Sequence, residues 1–211
     1  MIHCSDSLWG DAADITCWHR QRGWDDIGYN WVILSGRLRE PADGIYYYEH
    51  KNGKQEDGRD PKYIGAHALY FNESHLSVCL IGKHHFSWSQ FETLFEIVRM
   101  VKREHIPDLK AENIIGHYEV NKHKTCPNIE MNSFRKLLAL AMKSNIKFYE
   151  LRESELWQHD QEEDQEPRDV TAPVGALDSW EVSEETETRE LVDLMDRGEV
   201  KAVDVKRELV E

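Results

Sequence analysis

The side chains here best suited to chemistry are imidazoles and thiols. The 211-residue chain has 11 histidines and four cysteines. Three of them form a set with a specific use: His3 in Ile2-His3-Cys4-Ser5, His117 in Gly116-His117-Tyr118-Glu119-Val120, and Cys126 in Lys124-Thr125-Cys126-Pro127. Two imidazoles and a thiolate suit Zn2+. Three protein ligands rather than four leave a coordination position for water, as in catalytic zinc sites. Such a set, if it meets in space, implies a zinc hydrolase. Spacing alone says little. His117 and Cys126 are nine residues apart, His3 is remote, and no CxxC or HExxH is present. The fold must therefore bring an early strand against a late loop.

The elements that would do this are legible. Met1–Cys4 reads as the end of a short strand. Residues 11–22 read as a helix with Ile15 and Trp18 on one face and Gly23 as its stop. Tyr29–Leu34 is rich in β-formers. Ile45–Glu49 with Lys51-Asn52-Gly53 suggests a hairpin turning at Asn-Gly. The apolar run Leu76–Ile81 suits a buried central strand. Ser87 with Gln90 makes a capping box, and Phe91, Leu94, Phe95, Val98 and Val101 follow at helical spacing. Asn113–Ile115 reads as a short strand, and a last helix carries Phe134, Leu137, Leu138 and Ala141 on one face. The sum is an α/β domain over residues 1–150: a mixed central sheet flanked by helices.

Charge divides the chain in two. Residues 151–211 hold 20 acids and 7 bases, against 40 and 26 in the whole chain. The acidity thus belongs to a C-terminal extension. Residues 151–182 read as an acidic flexible linker, too polar to offset the entropy of ordering. Residues 183–211 read as a short helical tail, marginal alone, which suggests docking on a protein partner or self-association. No basic stripe exists, so nucleic acid is not an expected partner. No apolar run is long enough for membrane insertion. The N-terminus lacks a basic start and an apolar core, so no secretory signal is expected, and synthesis is expected to be cytoplasmic. Cys4, Cys17 and Cys79 read as small buried apolar residues in a reducing compartment.

Eight short blocks carry a resemblance. They are Ile2-His3-Cys4-Ser5, Trp18-His19-Arg20-Gln21-Arg22-Gly23-Trp24, Ile27-Gly28-Tyr29-Asn30-Trp31-Val32-Ile33, Gly58-Arg59, Ile64-Gly65-Ala66-His67-Ala68, Val78-Cys79-Leu80-Ile81-Gly82, Gly116-His117-Tyr118-Glu119-Val120 and Lys124-Thr125-Cys126-Pro127. In this order, over roughly residues 2–140, the chain resembles the type-2 N-acetylmuramoyl-L-alanine amidases. That superfamily includes the amidase lysozymes of bacteriophages and the peptidoglycan-recognition proteins. The extension is not covered.

The resemblance implies a zinc site of His3, His117 and Cys126, a catalytic tyrosine at Tyr29 and a catalytic lysine at Lys124. It implies cleavage of the amide between muramic acid and L-alanine in peptidoglycan, as in a phage or prophage endolysin acting on the cell wall after release. His67 is expected to line the substrate groove. Glu119 is a candidate to orient a ligand imidazole, and His84, His85 and His123 read as surface residues. Asn30 departs from many relatives, which carry histidine there. The long hairpin of residues 39–60, with Tyr46-Tyr47-Tyr48, is a candidate wall of the groove. Two other readings follow from the same resemblance: a recognition module that binds peptidoglycan without cutting it, and a cytosolic amidase that recycles muropeptides. The former commonly lacks the cysteine ligand, which is present here.

Overall fold

Alternation along a strand decides which face each side chain joins. In the computed structural model, which describes residues 1–40 and 44–144, the strands are β1 (Ile2–Cys4), β2 (Trp31–Glu40), β3 (Gly44–Asp57) and β4 (Val78–Leu80). Their spatial order is β1-β4-β2-β3. β4 lies parallel to both β1 and β2, and β2 and β3 are antiparallel. The helices are α1 (Ala12–Gln21), α2 (Trp88–Glu104), α3 (His117–Val120) and α4 (Met131–Ser144), with a 3-10 turn at Ala111–Asn113. This is the expected mixed sheet flanked by helices. The proposed linker over 151–182 and the tail over 183–211 lie outside the described residues.

The register sorts the core into two faces. Ile2, Val78 and Trp31 stand abreast and join Ile33 and Leu80 in one apolar cluster with Phe91, Leu94, Phe95 and Val98 of α2 and Phe134, Leu137 and Leu138 of α4. Each large apolar side chain fully buried here contributes roughly 1.5–3 kcal/mol. His3, Cys79 and Val32 also stand abreast. Cys79 and Val32 pack with Ile15, Ile27, Leu34 and Ile81 on the other face, that of α1. The same alternation that buries Ile2 against α2 therefore turns His3 toward α1.

The expected capping box on α2 is present, and α1 has one that the sequence reading did not name. Ser87 caps α2 with Gln90, and Asp11 caps α1 with Asp14. Elsewhere the structure corrects the sequence reading. Lys51-Asn52-Gly53 is not a turn but part of β3. Between the pairs Ser35↔Asn52 and Arg37↔Tyr47, two residues of advance on β2 are matched by five on β3. The Asn-Gly signal marks the adjoining irregularity, where Ile33 to Ser35 faces Asn52 to Gln55, and Gly53 has a left-handed φ of 74° there. Asn113–Ile115 forms no ladder. Its chain enters from the 3-10 turn and meets β1 at one bridge, Ile2↔Gly116. Cys17 is exposed, unlike Cys4 and Cys79, because its position on α1 points away from Ile15 and His19. Tyr46 and Tyr47 stay exposed on β3, at the opposite edge of the sheet from β1.

Candidate active site

β1 is an edge strand, and the chain that closes its edge carries the second candidate ligand. The Ile2 N–H donates to the Ile115 carbonyl at 2.8 Å. This sets Gly116 against β1 and starts α3 at His117 beside His3, with ring centroids 4.6 Å apart. The Glu119 carboxylate accepts the Gly116 N–H at 2.8 Å and pairs with Arg135 at 2.8 Å. Glu119 thus pins the short helix that bears His117 and pairs with α4, through backbone and guanidinium.

The third candidate ligand comes back to the same place. The Tyr118 N–H donates to the Cys126 carbonyl at 2.8 Å, and the Cys4 N–H donates to Cys126 Sγ at 3.1 Å. One ligand atom each from His3, His117 and Cys126 lie within 4.8 Å of one another. His3 Nδ1 is 3.8 Å from Cys126 Sγ. The edge of a tetrahedron with zinc-like bond lengths is about 3.5 Å, so the His3–Cys126 pair is within a few tenths of an ångström of it, and the set as a whole, gathered within 4.8 Å, would draw in around an ion. The donor chemistry and the spacing fit a metal ion.

The electrostatics favour a neutral imidazole and a protonated thiol before any ion arrives. His3 is 1% exposed. Burial first, then the neighbouring His117 and His67, hold its pKa well below the ordinary value, which keeps a ring lone pair available. The adjoining Cys4 thiol and burial push the Cys126 thiol well up. Cation binding here would therefore displace a proton from sulfur.

Tyr29 lies beside the set, its ring centroid 5.0 Å from that of His3. Burial pushes its phenol well above the ordinary value, so it stays protonated and can donate a hydrogen bond. Lys124 is half-buried on the loop that carries Cys126, and its N–H donates to the Asn121 carbonyl at 3.1 Å. His67 is 7% exposed. Its Nδ1 is 3.2 Å from His3 Nε2, and its Nε2 is 3.1 Å from the His75 carbonyl oxygen. His84, His85 and His123 are exposed, as the sequence suggests.

No known family model matches the chain. It is 25% identical over 137 residues to the endolysin of Escherichia phage T7, across 62% of this chain and 80% of that protein. It is 23% identical over 141 residues to the endolysin of Klebsiella phage KP32, with the same coverage. Among solved structures it is similar to the N-acetylmuramoyl-L-alanine amidase LysC from Clostridium intestinale URNW, with TM-score 0.49 and 22% identity, covering 69% of this chain and 83% of that one. Drosophila PGRP-LB gives TM-score 0.48 and 20% identity, covering 77% of this chain and 83% of that one.

Several supports of the site were missed in the sequence because their partners are backbone atoms. Arg59 donates to the carbonyls of Ile27 at 2.8 Å and Ile64 at 2.7 Å, tying the loop before β2 to the loop after β3. The Arg59 and Gly58 N–H groups bond the carbonyls of Tyr29 and Asn30. A Cβ on Gly58 would sit 2.2 Å from the Tyr29 backbone carbonyl oxygen, so glycine is needed for this approach. Asn30, 2% exposed, accepts the Ser77 N–H at 2.8 Å and donates to the Arg59 carbonyl at 3.0 Å. Its amide is a brace between β2 and the entry to β4.

His19 completes the support. It is 5% exposed. Its Nδ1 accepts the Gly28 N–H at 2.9 Å, and its ring centroid is 5.3 Å from that of Tyr29. Burial, with Arg22 and Arg59 adding to it, lowers its pKa from 6.5 to about 3. The sign follows. The unfolded chain takes up this proton near pH 6.5 while the folded chain refuses it until about pH 3. The stability contribution is therefore complete above about 6.5 and lost as pH falls toward about 3, at about 1.4 kcal/mol per pH unit. Denaturant titrations from pH 7 to pH 4 are expected to show a slope shallower by about that amount in His19→Gln, whose amide oxygen can still accept from Gly28. Parallel slopes in the two proteins would contradict this assignment.

Proposed function

We propose that this chain is a zinc-dependent N-acetylmuramoyl-L-alanine amidase that cuts peptidoglycan, working as a phage or prophage endolysin. The observation that carries the proposal is the convergence of His3, His117 and Cys126, in a chain similar to phage endolysins. The choice of bond rests on the resemblance of the sequence blocks to the type-2 amidases.

Bound zinc would supply a Lewis acid and a water acidified to a pKa of about 7. The chain's own residues do the rest. His3 offers a neutral ring and Cys126 a sulfur already held by the Cys4 N–H. Tyr29, kept protonated, donates a hydrogen bond to the substrate oxygen on which charge develops. Lys124, tethered two residues before Cys126, opposes the negative charge of the tetrahedral intermediate. A thiolate ligand reduces the positive charge at the metal, so an added cation at the oxyanion is of use.

Among the described residues, no helix is long and apolar enough to cross a membrane. We assign synthesis to the cytoplasm and action to the cell wall after release.

The test is dye release from purified peptidoglycan, paired with mass spectrometry of the products. Release with zinc, arrest by a chelator and recovery on adding zinc back are expected, with new amino termini at L-alanine. New reducing sugar ends would point to a glycosidase. Binding without release would favour a recognition module, and cleavage confined to small soluble muropeptides would favour a recycling amidase.

A further inference from the structure

Both ring nitrogens of His67 are engaged inside the protein, and the bonds have a direction. His67 Nε2 lies 3.1 Å from the His75 carbonyl oxygen. A carbonyl only accepts, so the proton of this bond sits on His67 Nε2. In a neutral imidazole the other nitrogen is then bare. That nitrogen, Nδ1, lies 3.2 Å from His3 Nε2, so His3 is the donor and carries its proton on Nε2. The His3 lone pair is left on Nδ1, the atom that faces Cys126 Sγ at 3.8 Å.

We infer that His67 is a positioning residue: with the His75 carbonyl, it fixes His3 in the tautomer that presents a bare Nδ1 to the metal. The inference rests on the metal site in the reading above, not on the substrate named there. The surrounding loop is built to hold the ring. Asn72 Oδ1 accepts the N–H groups of His67 at 2.8 Å and Ala68 at 2.9 Å. A Cβ on Gly65 would sit 2.6 Å from His67 Cδ2, so the backbone wraps closely over the imidazole. With both nitrogens committed, His67 has no hydrogen-bonding atom to spare for substrate. Its effect on the reaction passes through His3. A partner that orients a metal-binding histidine in this way is typically worth 10–100-fold in metal affinity.

The experiment uses the full chain and zinc alone. Zinc affinity is measured by competition with a chromophoric chelator for the wild type, His67→Leu and His67→Gln. Leucine removes the acceptor and is expected to weaken zinc binding about 10–100-fold. Glutamine can accept from His3 and donate to His75, and is expected to restore most of the loss. Nitrogen-15 spectra of the zinc-free wild type are expected to show both His3 and His67 protonated at Nε2. Unchanged zinc affinity in His67→Leu, no rescue by glutamine, or a proton on His67 Nδ1 would overturn the inference. If the leucine variant fails to fold, the glutamine variant and the wild-type spectra still decide. These readouts do not depend on which bond is cut. Intact zinc affinity in His67→Leu together with normal wild-type wall cleavage would sink this inference and leave the amidase reading standing.

Discussion

Replacing Cys126 by alanine is expected to abolish zinc binding and peptidoglycan cleavage together. Cys126 provides the only sulfur of the set, and its thiolate would provide the only formal negative charge among the three ligands. Two imidazoles without it would leave a weaker, open site. The loss should exceed the roughly 10–100-fold typical of changing a group that merely supports a ligand. The fold should survive. Cys126 belongs to neither apolar cluster, and the Tyr118 N–H bonds its backbone carbonyl, which alanine keeps. Metal analysis of the purified variant, with circular dichroism as a check on folding, would decide. Stoichiometric zinc in Cys126→Ala would remove the cysteine from the site.

Removing one oxygen from Tyr29 is expected to have the second largest effect. In Tyr29→Phe the ring that packs near His3 and His19 is retained, and only the hydroxyl is lost. If that hydroxyl donates to the oxygen that gains charge, kcat should fall about 10²–10³-fold, as for the loss of one oxyanion donor. KM and zinc content should change little, because the contact is made mainly in the transition state. Steady-state kinetics on a soluble muropeptide would separate these quantities. A fall in kcat of less than about threefold, or a parallel loss of zinc, would assign Tyr29 to packing or to metal support instead.

How far the sequence reaches depends on what kind of contact is involved. The stripe from Phe91 to Val101 and the helix through Phe134 and Leu138 are periodic patterns, and periodicity survives into the fold as burial. The convergence of His3 with Cys126 is a different matter. It depends on pairing β1 with β4 and on a single bridge from Ile2 to Gly116, and no local pattern encodes either. The resemblance, not the spacing, pointed to those residues. The Asn52-Gly53 signal misleads because a bulge needs the same left-handed glycine as a tight turn. Arg59, Asn30 and His19 escaped because each holds backbone atoms from several segments, and the partners of such bonds exist only once the chain is folded. The pair of His67 with His3 spans 64 residues; only the structure turns two separate histidines into one hydrogen-bonded chain.

The account depends most on a single ion held by His3, His117 and Cys126 with one position left to solvent. X-ray absorption at the zinc edge of the purified full chain measures this directly. The account predicts one zinc per chain with two nitrogen neighbours at about 2.0–2.1 Å, one sulfur at about 2.3 Å and one further light atom from water. A shell with no sulfur, or one filled by four protein ligands, would contradict it.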